Sequence, residues 1–434
     1  MTRVRLVSSL ALCLLLVPQA AGGTESAAPR HSDNLELVAQ IPGPGGTDLE
    51  FFSRTLETYM DSQGNLITPP EPVERHFALV GNQQSGPKIV DITSPEEPFI
   101  ASVVPNCAIG QGDPQVTKDG MLAVIAKQTG GTCRTVNGVN VPNGSAVVDL
   151  GDVYAPVVVG RAPHSSGSHN NTLHPGGRYM YISNSNLTPG TDGNATIPIY
   201  DLADPANPKL VKDWKIPGTG PHDIRFSHDG TRAYLAGISQ FHIVDTTDPE
   251  NPSVVSTIVP PGGSIGHDSL VTPDKAFLFL GDEGGGGGAY PCPGGAIYVY
   301  DIRIEAAPVQ LGMAWAGGGP VTSRHIDEAA PGGVPSAGCT SHVMELNPDN
   351  KSLTIGWYSL GTRVFDFSML YDGDTPRPLP AASWGRFGAV LVETGYMVPD
   401  NARTWSAKQY AKVPGYIFSD DVHLGFYVTK IKTT

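Results

Sequence analysis

Two segments of the chain, 201-DLADPANPKLVKDWKIP-217 and 245-DTTDPENPSVVSTIVPP-261, follow one pattern. Each begins with an aspartate that ends a strand-like run, passes through an Asp-Pro turn and a second proline, and continues into an alternating apolar segment. Proline fixes the backbone of such a turn and aspartate accepts hydrogen bonds from it, so the chain reverses direction locally. The pattern predicts a tight turn that joins two antiparallel strands.

The aspartate-ended strand recurs along the whole chain. Its six copies are KIVDI at 88, AVVDL at 146, PIYDL at 198, HIVDT at 242, YVYDI at 298 and RVFDF at 363. Their aspartates, which we interpret as turn formers, are Asp91, Asp149, Asp201, Asp245, Asp301 and Asp366. A repeat of about 45 to 60 residues built from short alternating strands is typical of a β-propeller blade. With 52 glycines and 39 prolines but 40% hydrophobic residues, the composition also favours an all-β protein with a substantial core.

The two ends of the repeat region decide the number of blades. The run GFYVTKI at 425–431 is interpreted as a third strand, and no outer strand follows it. The run LELVAQIP at 35–42 resembles the outer strands of the repeats, so we expect it to complete the last blade and close the ring. The sequence therefore predicts a seven-bladed propeller. An eight-bladed alternative requires one more copy within 370–410.

The repeat resembles that of the bacterial LVIVD-repeat proteins, a family named after this strand. The resemblance covers the six strand copies, CTSHVMELNPDNKSLTIGWYSLGTRVFDF at 339–367 and TWSAKQYAKVPGYIFSDDVHLGFYV at 404–428. It implies a secreted or surface β-propeller and no established reaction.

The first 22 residues have the pattern of a secretory signal peptide. A basic start, MTRVR, precedes an apolar run at 6–17 and the small residues of PQAAG at 18–22. That run is too short to span a membrane, which requires roughly 20 apolar residues. We therefore expect cleavage after residue 22, a flexible segment at 23–34, one propeller domain at 35–434, and a secreted, extracellular protein without a membrane span.

Charge and cysteines narrow the partners further. The net charge of −14 argues against nucleic acid and against anionic membrane surfaces. We expect a monomer whose partner is a small-molecule substrate or an extracellular ligand. Four cysteines follow the signal peptide, and an oxidising compartment favours disulfides. We expect Cys107 to pair with Cys133 and Cys292 with Cys339, although sequence alone does not fix the pairing.

Four histidines share one position in consecutive repeats. The segments SHNNTLHPGG, PHDIRFSHDG, GHDSLVTPDK and SHVMELNPDN place His169, His222, His267 and His342, each seven residues before the third residue of a predicted hairpin turn. This position opens the innermost strand of a blade, and innermost strands line the central channel of a propeller. We therefore expect the four imidazoles to converge near one mouth of the channel.

Neutral imidazoles are ligands for transition metals such as copper, iron or zinc. Glu283 is an additional candidate ligand or base, with a turn residue as the alternative, and Asp223 and Asp268 are candidates to orient neighbouring rings. The first two blades have Thr47, Asp48, Gly112 and Asp113 in place of the histidine and the residue after it, which predicts an open, acidic wall opposite.

Two interpretations of this ring remain. In the first, the protein is a metalloenzyme, with a transition metal in the funnel and an oxidoreductase-type reaction on a small molecule. In the second, the histidines only form hydrogen bonds with the backbone of a neighbouring blade, and the protein is a non-catalytic extracellular scaffold that binds a partner through the propeller rim. Cys339 is a further candidate as a soft metal ligand, with a disulfide as its alternative.

Overall fold

The fold was analysed on a computed structural model. It describes residues 29–105, 113–127, 135–136, 139–140, 143–165, 167–184, 195–284, 294–316, 338–378 and 390–432. The predicted signal peptide lies outside these residues, as do Gly112 and the cysteines at 107, 133 and 292.

The described chain forms seven antiparallel blade sheets, six of four strands and one of five, each built from strands that are almost all consecutive. Strands of the first three blades, from the innermost outward, are Gly46–Leu56, Val73–Asn82, Lys88–Asp91 and Phe99–Val103; Pro114–Val116, Leu122–Lys127, Gly144–Asp149 and Val157–Pro163; and Asn170–Leu173, Tyr179–Ser183, Ile197–Asp201 and Lys209–Trp214. Strands of blades 4 to 6 are Pro221–Phe226, Arg232–Gly237, Phe241–Asp245 and Ser253–Ile258; Gly266–Val271, Phe277–Asp282, Ile297–Asp301 and Val309–Ala314; and Met344–Leu346, Ser352–Gly356, Thr362–Asp366 and Val392–Val398. Blade 7 consists of Thr404–Tyr410, Val413–Asp421, Gly425–Ile431 and Leu35–Pro42. The predicted seven-bladed all-β propeller is confirmed.

The ring closes through its N-terminal strand, as the sequence predicts. Leu35–Pro42 pairs antiparallel with Gly425–Ile431 and is the outer strand of blade 7. A two-residue strand just before it, Arg30–His31, adds to the outer edge of blade 6. The described parts of 370–410 supply the outer strand of blade 6 and the inner strand of blade 7, so they hold no eighth blade.

The remaining elements are short. They are the strands Tyr59–Met60, Leu66–Ile67, Thr135–Val136, Val139–Asn140, Tyr371–Asp372 and Thr375–Pro376, and the 3₁₀ turn Ser368–Leu370. No helix among the described residues is long and apolar enough to cross a membrane.

The six repeat aspartates form turns, as predicted. Each carboxylate accepts a hydrogen bond from the backbone N–H two residues further on, for example Asp201 from Ala203 and Asp245 from Thr247, both at 2.9 Å. This bond satisfies a backbone donor where the chain leaves the third strand of the blade. The repeated aspartate therefore fixes the reversal that places the fourth strand.

The hydrophobic core lies between neighbouring blades. Phe277 and Phe279 of blade 5, for instance, share a buried cluster with Met344, Leu353 and Phe365 of blade 6. The innermost strands of successive blades contact one another around the channel. Since each blade packs on both of its neighbours, residues at equivalent positions on the inner strands are held at one level of the ring.

Candidate functional site

Two of the predicted ligands are the extra residues of β-bulges. In blade 4, Pro221 pairs with Gly237 and Asp223 with Ala236, so His222 has no partner of its own on the neighbouring strand. Blade 5 repeats this irregularity at His267. A bulge re-aims the side chain it carries. The start of each inner strand therefore departs from regular alternation at the histidine.

The structure brings all four predicted histidines together at the start of the inner strands. Their ring centroids are 4.3 Å apart for His169 and His222, 4.4 Å for His222 and His267, and 3.8 Å for His267 and His342. The Nε2 atoms of His169 and His222 are 2.9 Å apart, so one of them donates a hydrogen bond to the other. All four side chains are buried, and they form a continuous arc across blades 3 to 6.

Glu283 completes the tightest group of donors in this arc. One nitrogen each of His222 and His267 and one carboxylate oxygen of Glu283 lie within 4.8 Å of one another, and all three residues are buried. The carboxylate is also 3.8 Å from Nε2 of His342. In a tetrahedral site, ligand atoms lie about 3.3 Å apart, so a shift of about 1 Å or less brings the three donors to bonding distance of one ion. The group could hold a transition metal.

Burial determines the protonation of the arc. It lowers the pKa of His222 to about 4, and it lowers the pKa values of His169, His267 and His342 well below the ordinary range. Burial raises the pKa of Glu283 to about 7. At neutral pH the imidazoles are therefore neutral, so each has one nitrogen with a lone pair that can bind a cation, and Glu283 is partly protonated.

Tyr358, which the sequence analysis did not identify, holds Glu283 in place. Its hydroxyl donates a hydrogen bond to Oε1 of Glu283 at 2.8 Å. The tyrosine lies in the turn after the second strand of blade 6, with a φ of 38°. This left-handed conformation is costly for a residue with a side chain, and such strain concentrates at functional sites. The side chain also contacts His342, with ring centroids 4.7 Å apart.

Asp223 and Asp268 do not orient the imidazoles, contrary to the sequence analysis. Asp268 instead accepts hydrogen bonds from the Arg225 guanidinium and from the backbone N–H of Met344. The described hydrogen bond of Asp223 comes from the N–H of Ile224, the next residue. Both carboxylates are thus engaged with groups outside the histidine arc. These two carboxylates therefore belong to a separate, charged level of the channel.

That charged level includes a buried lysine. Nζ of Lys408 lies 2.9 Å from Asp48 and 2.9 Å from Glu50, and the lysine is 1% exposed. Burial, together with the Asp268 carboxylate, raises the pKa of Asp223 to about 8. This level is a network of paired charges beside the histidine arc.

Three of the four residues predicted to form an open, acidic wall opposite the histidines are described, and they include the two carboxylates Asp48 and Asp113. Thr47 and Asp113 are buried, and burial together with Asp48 raises the pKa of Asp113 well above the ordinary range. Blade 7 contributes Trp405, which is the bulged residue of its inner strand and thus occupies the position of the histidines. Its ring centroid is 4.2 Å from that of His342, and its carbonyl accepts a hydrogen bond from Nδ1 of that histidine at 2.9 Å.

The predicted disulfides lie largely outside the described residues. Cys339 is buried in the cluster between blades 5 and 6. The other three predicted partners, Cys107, Cys133 and Cys292, are not described, so both pairings stay predictions.

Comparison with known proteins supports the fold and leaves the function open. No sequence-family profile matches the chain. No curated protein matches it either. Among solved structures, the chain is similar to the β-propeller domain of Cps50 (Swd1) from Myceliophteria thermophila, with a TM-score of 0.56, 8% identity, and coverage of 92% of this chain and 100% of that one. It is also similar to hydrazine synthase from Kuenenia stuttgartiensis, with a TM-score of 0.54, 13% identity, and coverage of 87% and 95%. At these identities the comparison establishes a β-propeller fold and no activity.

Proposed function

We propose that the protein is a secreted LVIVD-repeat propeller that binds one transition metal ion in its channel, at the start of the inner strands. The ion is copper, iron or zinc. His222, His267 and Glu283 are the ligands, with His169 and His342 beside them. One observation carries the proposal: three buried groups from two blades place a donor atom each within 4.8 Å. A bound ion would supply a Lewis acid or a redox centre for an oxidoreductase-type reaction on a small molecule.

The cost of leaving the site empty supports the proposal. Nδ1 of His267 and Nε2 of His342 are buried and form no hydrogen bond with the described residues. A buried polar atom without a partner costs about 1–3 kcal/mol. Since a bound ion and its rearranged ligands satisfy such atoms, metal binding returns part of this free energy.

The residues of the chain have separable roles in this proposal. The imidazoles of His222 and His267 bind the ion, and Glu283 neutralises part of its charge. The hydroxyl of Tyr358 fixes the carboxylate through its 2.8 Å hydrogen bond. The backbone carbonyl of Trp405 fixes the ring of His342. Such outer partners set the orientation of ligands and the tautomer of a histidine.

Metal analysis of the purified protein tests the proposal. We expect close to one equivalent of copper, iron or zinc, and its loss in His222→Ala and His267→Ala. His242→Ala is a suitable control, because His242 is also buried in blade 4 but bonds to Thr219 at 2.6 Å outside the arc. A protein that takes up none of the three ions, even after dialysis against each, contradicts the proposal and favours a scaffold that binds through its rim.

A further inference from the structure

The start of the inner strand of blade 7 is tied to the candidate site. Thr404 exchanges two backbone hydrogen bonds with Tyr358, at 3.0 and 2.9 Å. This pairing holds the residues on either side of Thr404, Arg403 and Trp405, beside the tyrosine that binds Glu283. The backbone carbonyl of Trp405 has a role in the metal site as proposed above, but neither of the two side chains does.

Trp405 has a buried donor without an acceptor. The indole is 6% exposed, and its Nε1–H forms no hydrogen bond with any described residue. An indole nitrogen is only a donor, so the partner that it lacks is an acceptor such as an oxygen. The same ring packs at 4.2 Å from His342 and 5.9 Å from Tyr358, measured between centroids. The unused donor therefore belongs to a side chain that lines the candidate site.

Arg403 has an unused positive charge in the same place. Its guanidinium carbon lies 5.3 Å from the centre of the Tyr358 ring, a cation–π contact. Within the described residues, the guanidinium forms neither a hydrogen bond nor an ion pair. Its charge nevertheless reaches the site: burial raises the pKa of Glu283 and Arg403 opposes that rise, while burial lowers the pKa of His342 and Arg403 adds to that fall. A guanidinium with a free edge binds a carboxylate through two parallel hydrogen bonds.

We propose that Arg403 and Trp405 bind the carboxylate of a small organic acid, which lies against the group formed by His222, His267 and Glu283. This inference rests on the proposed function for the role of the metal and goes beyond it by naming the substrate class. A cationic ligand is repelled by Arg403 and by a bound metal ion. A neutral ligand leaves the guanidinium unpaired. A small carboxylate satisfies both the guanidinium and the indole N–H.

Acetate and acetamide provide a matched pair of probes, since they have nearly the same shape and differ in charge. The measurement is a saturation-transfer NMR titration of the methyl signal, on zinc-loaded protein and on metal-free protein. We expect acetate to bind at least tenfold more tightly than acetamide. We expect Arg403→Gln and Trp405→Phe to weaken acetate binding about tenfold or more, with metal content unchanged.

Two control variants separate recognition from general damage. Arg178 also stacks on a tyrosine, 5.1 Å from the centre of Tyr179, but it is paired with Asp201 away from the channel. Arg178→Gln should leave acetate binding unchanged. Trp357→Phe makes the same change as Trp405→Phe in the core cluster of blade 6 and should also leave it unchanged.

The outcomes distinguish this inference from the proposed function. If the protein takes up no metal but acetate binding is still lost in Arg403→Gln, the metal proposal fails and the anion site stands. If metal binds and Arg403→Gln retains the acetate affinity of the unmodified protein, the anion site fails and the metal proposal stands. Tighter binding of inorganic phosphate or of methylammonium than of acetate also overturns the assignment of a carboxylate.

Discussion

Metal affinity should depend on pH through a single proton, that of Glu283. A carboxylate must lose its proton before it binds a metal ion, and burial raises the pKa of this group to about 7. The imidazoles contribute little in this range, because burial lowers the pKa of His222 to about 4 and that of His267 well below 6.5.

The size of the effect follows from one competing proton. Well below pH 7 the association constant should fall about tenfold for each pH unit, and since Glu283 is about half ionised at pH 7, the fall between pH 7 and pH 5 is about fiftyfold. At 1.36 kcal/mol for each factor of ten, this corresponds to about 2.3 kcal/mol of binding free energy. Above pH 7, Glu283 is ionised in the metal-free protein, so the curve should level off.

Competition with a chromophoric chelator, repeated from pH 5 to pH 8, measures this dependence. Glu283→Gln is the decisive comparison: its affinity should be lower at pH 7 but nearly independent of pH between 5 and 7. A slope of three or four protons centred near pH 6.5 would refute the reasoning, because it would mean that the histidines are charged in the metal-free protein. A flat curve for the unmodified protein would remove Glu283 from the site.

Three further predictions concern stability. Lys408→Met should lower the free energy of unfolding by about 3–5 kcal/mol in a urea titration, because it leaves buried carboxylates unpaired. Lys412→Met breaks an exposed ion pair and should cost about 1 kcal/mol or less in the same measurement. Ile224→Ala removes a side chain that is 2% exposed and should lower the free energy of unfolding by about 2–5 kcal/mol. His267→Ala should lower it clearly less in metal-free protein. Equal losses of stability would show that the histidine is a structural residue. Because the pKa of Asp223 is raised to about 8, the folded protein holds a proton that the unfolded chain loses near pH 4, so this group should lower stability as pH rises between these values. Asp223→Asn should lessen the fall when urea unfolding is compared at pH 5 and pH 8, while Glu283 and Asp113, whose pKa values are also raised, keep their share of it.

The fold was predictable because its signals are local and repeated. Each repeat aspartate forms its turn with a neighbour two residues away, as Asp201 does with Ala203. The closing strand was recognisable because Leu35–Pro42 has the alternation of other outer strands. None of these inferences required knowledge of a distant contact.

The site was predictable only where it repeats. Counting back from each hairpin turn located all four histidines, and the same count from Lys412 locates Trp405 in blade 7. The sequence analysis did not identify Trp405, because it considered only histidines at this position of the repeat. Tyr358 gives no such signal, since it lies in a turn outside the repeat position and reaches Glu283 through a contact between blades. The roles predicted for Asp223 and Asp268 failed because their hydrogen bonds go to Ile224, Arg225 and Met344, which the repeat pattern does not indicate.

A purely structural role explains one histidine of the arc and leaves another unexplained. His342 donates a hydrogen bond from Nδ1 to the backbone carbonyl of Trp405 in the next blade, as a blade-to-blade contact requires. His267 occupies the same position one blade earlier, yet its Nδ1 is buried and has no hydrogen bond among the described residues. An alanine there would avoid a cost of about 1–3 kcal/mol. The imidazole is therefore better explained by a ligand that it binds than by the fold that it occupies, and the proximity of Glu283 favours a cation as that ligand.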